Sequence, residues 1–153
     1  MLESDIFFWT RHDEYGALSN FTRAPIEVDG KLWPTSEHYY QGMKSDRLDE
    51  QEMIRLLGTP KEAKFAGYHV SLRSNWELLK ERYMLTALRA KFTQHEHLKQ
   101  ALLSTGYARL HENSPWDKYW GYVDGKGKDR LGQLLMQVRE ELRSEKVSEP
   151  PSS

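Results

Sequence analysis

Three consecutive local signals in residues 25–41 place the strongest constraint on how this chain of 153 residues folds. Asp29-Gly30 separates two short apolar runs, and this dipeptide favours a two-residue hairpin turn because both central positions need positive φ. Pro34 disfavours helix at Trp33, so that Thr35 or Ser36 can cap a helix that starts just after it. The stretch therefore predicts two antiparallel strands followed at once by a helix.

Helical patterns dominate the rest of the chain. A capping-box pattern at 74–77 predicts the start of a long helix, and apolar spacing predicts a last helix from about Asp129 to Arg143. Short apolar runs at 5–10 and 107–111 predict further strands. The predicted fold class is α+β, a mainly helical single domain over residues 1–143 with a small antiparallel sheet. The polar, Pro-rich tail at 144–153 is expected to be disordered.

Composition narrows the function classes. The chain has no Cys, which excludes disulfides, thiolate nucleophiles and Cys-based zinc sites. Its 22 Lys and Arg against 23 Asp and Glu argue against a protein that holds polyanions by bulk charge. No apolar run approaches the roughly 20 residues that a membrane-spanning helix needs, and the N-terminus lacks a signal-peptide pattern. The cytoplasm is the expected compartment, with no membrane partner.

The helix predicted after Thr35 carries an unusual stripe. Glu37, Tyr40, Gln41 and Lys44 fall at i, i+3, i+4 and i+7, which places a carboxylate, a phenol, an amide and an amine on one face. One interpretation is a solvated face, with aromatic residues elsewhere on the segment filling the core. The other is a pocket lining, with Glu37 in the first helical turn, where the helix dipole favours an ionised carboxylate.

Two later segments also carry chemistry. The stretch 112–121, ENSPWDKYWG, concentrates three aromatic residues and Asp117 in a predicted loop. These rings either cap the core or form a stacking wall for a flat ligand. The stretch 125–132, GKGKDRLG, precedes a helix start, where backbone N–H groups can bind anions, although its spacing matches no established phosphate-binding motif. Trp76, in the first turn of the long helix near Arg73, fits either a core or a pocket rim.

Taken together, these segments resemble the YbiA-like family of the NADAR (NAD and ADP-ribose) superfamily. The resemblance is carried by the following segments: FFW, LSNF (Leu18–Phe21), WPTSEHYYQGMK (Trp33–Lys44), LRAKF (Leu88–Phe92), D-x-x-W-G (Asp117–Gly121) and KDRLGQLLMQVR (Lys128–Arg139). Their order and spacing agree over about residues 6–143. One departure is Asp129, where many members of the family carry Asn, so Asp129 is not taken as a site residue.

The resemblance implies an enzyme, a hydrolase that cleaves N-glycosidic bonds. One branch of the family acts on the phosphoribosylamino-pyrimidine intermediates of riboflavin biosynthesis, and others remove ADP-ribose from modified guanine. The implied partner is therefore a phosphoribosyl or ADP-ribosyl small molecule, with ADP-ribosylated nucleic acid as a second candidate. No metal and no redox cofactor is expected.

The resemblance, combined with the chemistry of the side chains, also implies residue roles. Cleavage builds positive charge at the anomeric carbon, which a carboxylate stabilises, and a flat base is held by stacking. The predicted catalytic residues are Glu37 as main carboxylate, Asp117 as second acid or base, and Trp76 and Trp120 as stacking walls. The predicted substrate-binding residues are Lys44, Tyr40, Gln41, Arg73 and Asn20.

Two other classes of protein remain open on the sequence. The chain would fit a module that binds ADP-ribose or a nucleotide without turnover, although such a module has no chemical need for a carboxylate beside the sugar. It would also fit an interaction protein whose aromatic loop docks a partner, and a phosphoribosyl ligand would then leave its melting temperature unchanged.

Overall fold

A computed structural model describes residues 4–10 and 12–148 of the chain. Within these residues the elements follow in the order β1 (Asp5–Phe8), β2 (Ile26–Val28), β3 (Lys31–Trp33), α1 (Ser36–Gly42), α2 (Leu48–Arg55), α3 (Pro60–Ala66), α4 (Trp76–Gln94), α5 (Glu96–Ser104), β4 (Arg109–Glu112) and α6 (Arg130–Ser148), with a 3₁₀ turn at Gly16–Leu18. They divide into two compact units, Asn20–His95 and the combination of Met1–Ser19 with Glu96–Ser153. Mixed helix and strand confirm the predicted α+β class.

The unit Asn20–His95 opens with the predicted hairpin. β2 pairs antiparallel with β3, so that Ile26 lies opposite Trp33, and both side chains are buried. The turn residues Asp29 and Gly30 have φ of 52° and 79°, as the dipeptide predicts. Four helices follow, and their apolar faces form a core that includes Ile54, Ala63, Met84, Leu88 and Phe92.

The unit of residues 1–19 and 96–153 is built on a parallel strand pair. β1 pairs with β4 in the register Asp5 to Arg109 and Phe8 to Glu112. β1 is the strand predicted at 5–10. Its apolar run would suit a strand that is buried on both faces, but its side chains alternate: Phe7 is 48% exposed and Phe8 only 1%. α5 and α6 complete the unit, whose core includes Leu98, Leu102, Leu110, Leu131, Leu135 and Val138.

The cap of α4 and the end of α6 differ from prediction. α4 is capped by Asn75 without a side-chain hydrogen bond, so the predicted capping box at 74–77 is wrong. α6 continues to Ser148, past the predicted end at Arg143. Of the tail predicted to be disordered, residues 149–153 lie outside the described residues. In the part of the chain that the structure describes, no helix is both long and apolar enough to cross a bilayer.

Candidate active site

The start of α1 is fixed by its cap. Thr35 has extended backbone angles, and its hydroxyl oxygen accepts a hydrogen bond from the backbone N–H of His38 at 3.1 Å. The hydroxyl also contacts His38 Nδ1 at 2.7 Å, while Nε2 of the same ring lies 3.0 Å from the carbonyl oxygen of Leu57. Burial lowers the pKa of the His38 imidazole, which favours a neutral ring that donates from Nε2 and accepts at Nδ1. This cap holds Glu37 in the first turn of α1.

Burial contradicts one of the two interpretations of the polar stripe. Every residue of α1 is buried, and Glu37 and Gln41 are only 7% and 4% exposed. The interpretation of a solvated face is therefore wrong. Burying a carboxylate or an amide costs free energy unless the group is hydrogen-bonded. Buried groups of this kind are therefore expected to have hydrogen-bond partners.

The carboxylate of Glu37 has such a partner. Gln41 Nε2 donates to Glu37 Oε1 at 2.7 Å, one helical turn further along α1. The backbone N–H of Glu37 donates to the carbonyl oxygen of Asn20 at 3.2 Å. Carboxylate and helix start are thus held by two separate contacts, as a preorganised catalytic group requires.

Asn20 lies behind this helix start. Its Oδ1 accepts from Ser36 Oγ at 2.8 Å, and its Nδ2 contacts Met84 Sδ at 3.4 Å. Asn20 is only 7% exposed, so both ends of its amide serve contacts within the unit. The structure gives Asn20 a positioning task at α1, and its predicted contact with substrate stays a prediction.

Aromatic rings flank the stripe. The ring of Tyr40 lies 5.3 Å from that of Trp76, which in turn stacks on Tyr83 at 5.9 Å with an interplanar angle of 16°. Trp76 is 5% exposed, so most of its surface is covered by these neighbours. The role of Trp76 as a stacking wall stays a prediction. Its observed contact with Tyr40 helps to hold the Tyr40 ring in place. Tyr83 is a member of this cluster that the sequence analysis missed.

Two cations lie at the far end of α1. Lys44 Nζ lies 5.9 Å from the centroid of the Tyr40 ring and 5.5 Å from that of Tyr68. The backbone N–H of Arg73 donates to the carbonyl oxygen of Lys44 at 2.7 Å, and Arg73 Nε donates to that of Met43 at 2.6 Å. The guanidinium carbon of Arg73 also lies 5.2 Å from the centroid of the Tyr83 ring. Tyr68 is 68% exposed and was missed by the sequence analysis.

Asp117 and Trp120 belong to the other unit, where they form a tight turn. Asp117 Oδ1 accepts from the backbone N–H groups of Tyr119 and Trp120, both at 2.9 Å. A Cβ at Gly121 would lie 2.6 Å from the carbonyl oxygen of Asp117, so this close approach requires glycine. The D-x-x-W-G motif thus has a conformational basis. Trp120 is 7% exposed, and its role as a stacking wall stays a prediction.

The same turn accepts hydrogen bonds from the start of α6. The backbone N–H groups of Asp129, Arg130 and Leu131 donate to the carbonyl oxygens of Gly121, Tyr119 and Trp120 at 3.1–3.2 Å. These donors therefore already have backbone partners. None of these three groups is left to bind an anion at this helix start.

A buried histidine with a carboxylate at each ring nitrogen lies in this unit. His111 Nδ1 is 2.6 Å from Asp129 Oδ2, and His111 Nε2 is 2.7 Å from Asp5 Oδ1. Burial raises the pKa of Asp129, whereas the hydrogen bond to His111 lowers the pKa of Asp5. Across residues 4–10 and 12–148, no group of three or more His, Asp or Glu side chains is placed to hold a metal ion.

Lys91 is a further buried ionisable group that the sequence analysis did not single out. It is 0% exposed on α4, and burial lowers the pKa of its ammonium group to about 7. The available signal was its position: Met84, Leu88 and Lys91 fall on one helical face, where a lysine interrupts an apolar stripe. An amine with such a pKa exists in both protonation states near neutral pH.

Residues 7–143 match the model of the NADAR domain. The chain belongs to the NADAR family. It is 50% identical over 151 residues to the N-glycosidase YbiA of Escherichia coli, covering 95% of this chain and 93% of that protein. It is also 37% identical to the riboflavin biosynthesis protein VVA0006 of Vibrio vulnificus, covering 94% of this chain and 40% of that protein.

A solved NADAR structure supports the fold. The NMR structure of E. coli YbiA superposes with a TM-score of 0.90 at 45% sequence identity, covering 99% of this chain and 92% of that chain. The predicted family and the predicted α+β fold of the YbiA type are therefore confirmed.

Proposed function

We propose that this chain hydrolyses the N-glycosidic bond between ribose 5-phosphate and the amine of a pyrimidine intermediate of riboflavin biosynthesis, with Glu37 as the main catalytic carboxylate. The observation that carries the proposal is the burial of Glu37, 7% exposed, in the first turn of a capped helix with a hydrogen bond from Gln41.

The enzyme class is supported by sequence identity to relatives that are named N-glycosidases. Half of the residues are identical to those of a named N-glycosidase over 95% of this chain. The chain is a hydrolase of N-glycosyl bonds. A non-catalytic module that binds ADP-ribose is disfavoured for the same reason, and because such a module would have no chemical need for the buried carboxylate.

The substrate class rests on two supports. One is the name of the Vibrio relative, a riboflavin biosynthesis protein, although this chain spans only 40% of its length. The other is the backbone hydrogen bond from Arg73 to Lys44, which brings two cationic residues together in the main chain just after the end of α1. A 5′-phosphate suits such a pair, because a guanidinium fork and an ammonium group both bind phosphate oxygens.

The proposed mechanism follows from the charge that develops. As the bond from the anomeric carbon to the amine nitrogen breaks, the sugar gains positive charge, which the Glu37 carboxylate stabilises. Water then adds to the anomeric carbon and loses a proton, while the departing amine gains one. Asp117 is the proposed second acid or base. Tyr40, with Trp76 behind it, is proposed to line the side on which the flat pyrimidine lies.

The test is a direct assay of product. The protein is incubated with a phosphoribosylamino-pyrimidine, and free ribose 5-phosphate is measured over time. We expect release that depends on enzyme concentration. A parallel incubation with nucleic acid carrying ADP-ribose on guanine is assayed for free ADP-ribose. Release in the second incubation alone would contradict the riboflavin branch, and release in neither would contradict the proposed function.

A further inference from the structure

The amide of Gln41 has a fixed orientation. Gln41 is 4% exposed, its Nε2 donates to Glu37 Oε1 at 2.7 Å, and its Oε1 is buried without a hydrogen-bond partner among the described residues. The nitrogen end of the amide faces Glu37, because a carboxylate oxygen accepts hydrogen bonds and only the NH₂ end of an amide donates them. The oxygen end then points away from Glu37. Its lack of a hydrogen-bond donor within the described residues costs free energy, because the oxygen is buried.

The oxygen end of the amide rests against Gly67, the residue that caps the C-terminus of α3. A Cβ added at Gly67 would lie 1.9 Å from Gln41 Oε1 and 2.8 Å from Gln41 Cδ. Any side chain at this position would therefore have to displace the amide.

The backbone at Gly67 does not itself require glycine. Its φ of −60° and ψ of −21° are ordinary helical values that every L-residue adopts. The constraint on the residue at position 67 therefore comes from the space that the Gln41 amide occupies.

We propose that Gly67 is a positioning residue for catalysis: the missing side chain leaves the space in which Gln41 holds the Glu37 carboxylate in one orientation. The hydrogen bond on Oε1 limits rotation of the carboxylate about its last torsion, and so sets the direction that Oε2 faces. Catalytic groups need such placement to within about 0.5 Å. This inference rests on the proposed role of Glu37.

The first experiment compares Gly67→Ala with Gly58→Ala. A Cβ at Gly58 would meet nothing closer than Glu62 Oε1 at 3.7 Å, an ordinary van der Waals distance, so Gly58→Ala is the matched control. We expect Gly67→Ala to lower kcat on the order of 10²-fold with a smaller change in KM, because small misplacements of catalytic groups cost about that much. Gly58→Ala should keep the wild-type kcat, and both variants should melt cooperatively.

The second experiment tests whether Gly67 acts through Gln41. If it does, Gly67→Ala introduced into a Gln41→Ala background should cause no further loss of kcat, because the displaced amide is already absent. Gln41→Met removes the hydrogen-bond donor and keeps glycine at position 67. This variant should lower kcat, and it can be measured even if Gly67→Ala fails to fold.

Four results would overturn the inference: wild-type kcat in Gly67→Ala, wild-type kcat in Gln41→Met, a rise in KM alone, or a full additional loss in the double variant. Failure of the proposed function is recognised separately, because the wild-type protein would then release no ribose 5-phosphate, or Glu37→Gln would release it at the wild-type rate.

Discussion

Replacement of Asp129 by Asn should stabilise the protein near neutral pH. Asp129 is 9% exposed, with Oδ2 on His111 and Oδ1 buried without a hydrogen-bond partner among the described residues. Its φ of 59° lies in the left-handed region, which Asn also tolerates. An Asn amide can donate to His111 Nδ1 without burying a charge. Relief of part of the cost of burying a polar group is worth about 1 kcal/mol.

The pH dependence of this gain has a definite sign. Burial raises the pKa of Asp129 above the unfolded value of 3.8. The stability that its bound proton contributes is fully present below that value and is lost as the pH rises through the folded pKa. Asn has no such proton to lose. The advantage of Asp129→Asn should therefore be small in acid and grow as the pH increases through this window.

The assay is thermal unfolding of wild type and variant at a series of pH values from about 4 to 8, a range that spans the usual Asp and His titrations. For a chain of this length, about 1 kcal/mol corresponds to a shift in Tm of roughly 2–4 °C. Asp5→Asn is the matched control. The hydrogen bond to His111 lowers the pKa of Asp5, so its contribution is present above 3.8 and Asp5→Asn should lower Tm at neutral pH. A lower Tm for Asp129→Asn at pH 7 would refute this reasoning.

Three further predictions concern residues of the candidate site. Arg73→Lys should raise KM for a phosphorylated substrate more than for the matched substrate without phosphate, because it replaces the planar guanidinium proposed to bind phosphate; steady-state kinetics on both substrates checks this, and equal changes would contradict it. Trp120→Ala should weaken substrate binding more than it lowers Tm, which titration calorimetry and melting curves compare; a loss of stability alone would assign Trp120 to the core. Thr35→Ala should lower the free energy of unfolding by about 1 kcal/mol, measured by denaturant unfolding, because the backbone N–H of His38 at the start of α1 loses its acceptor. No change would mean that the cap contributes little.

Local rules explain which parts of the fold were predictable. Asp29-Gly30 determines its own turn angles, Thr35 caps the helix that follows it, and Glu37 meets Gln41 because residues four apart are neighbours on a helix. Each of these features depends on residues close in sequence, so the pattern of residue types was sufficient to predict it.

Long-range contacts account for what was missed. The parallel pairing of Asp5 with Arg109 joins strands from opposite ends of the chain, and no local pattern encodes it. The burial of Lys91 depends on the packing of the face of α4 that carries it. The contact between Gly67 and Gln41 joins the ends of two helices, where the absence of a side chain at Gly67 leaves no signal in the sequence.

The central claim is that Glu37 stabilises the charge that develops at the anomeric carbon. The most direct measurement is single-turnover release of ribose 5-phosphate by Glu37→Gln at saturating substrate, with Glu62→Gln as control. Glu62 also lies in the first turn of a capped helix, but it is exposed. We predict a loss of roughly 10²-fold or more for Glu37→Gln, by analogy with removal of one preorganised electrostatic group, with folding intact and Glu62→Gln unchanged. A wild-type rate in folded Glu37→Gln would contradict the account.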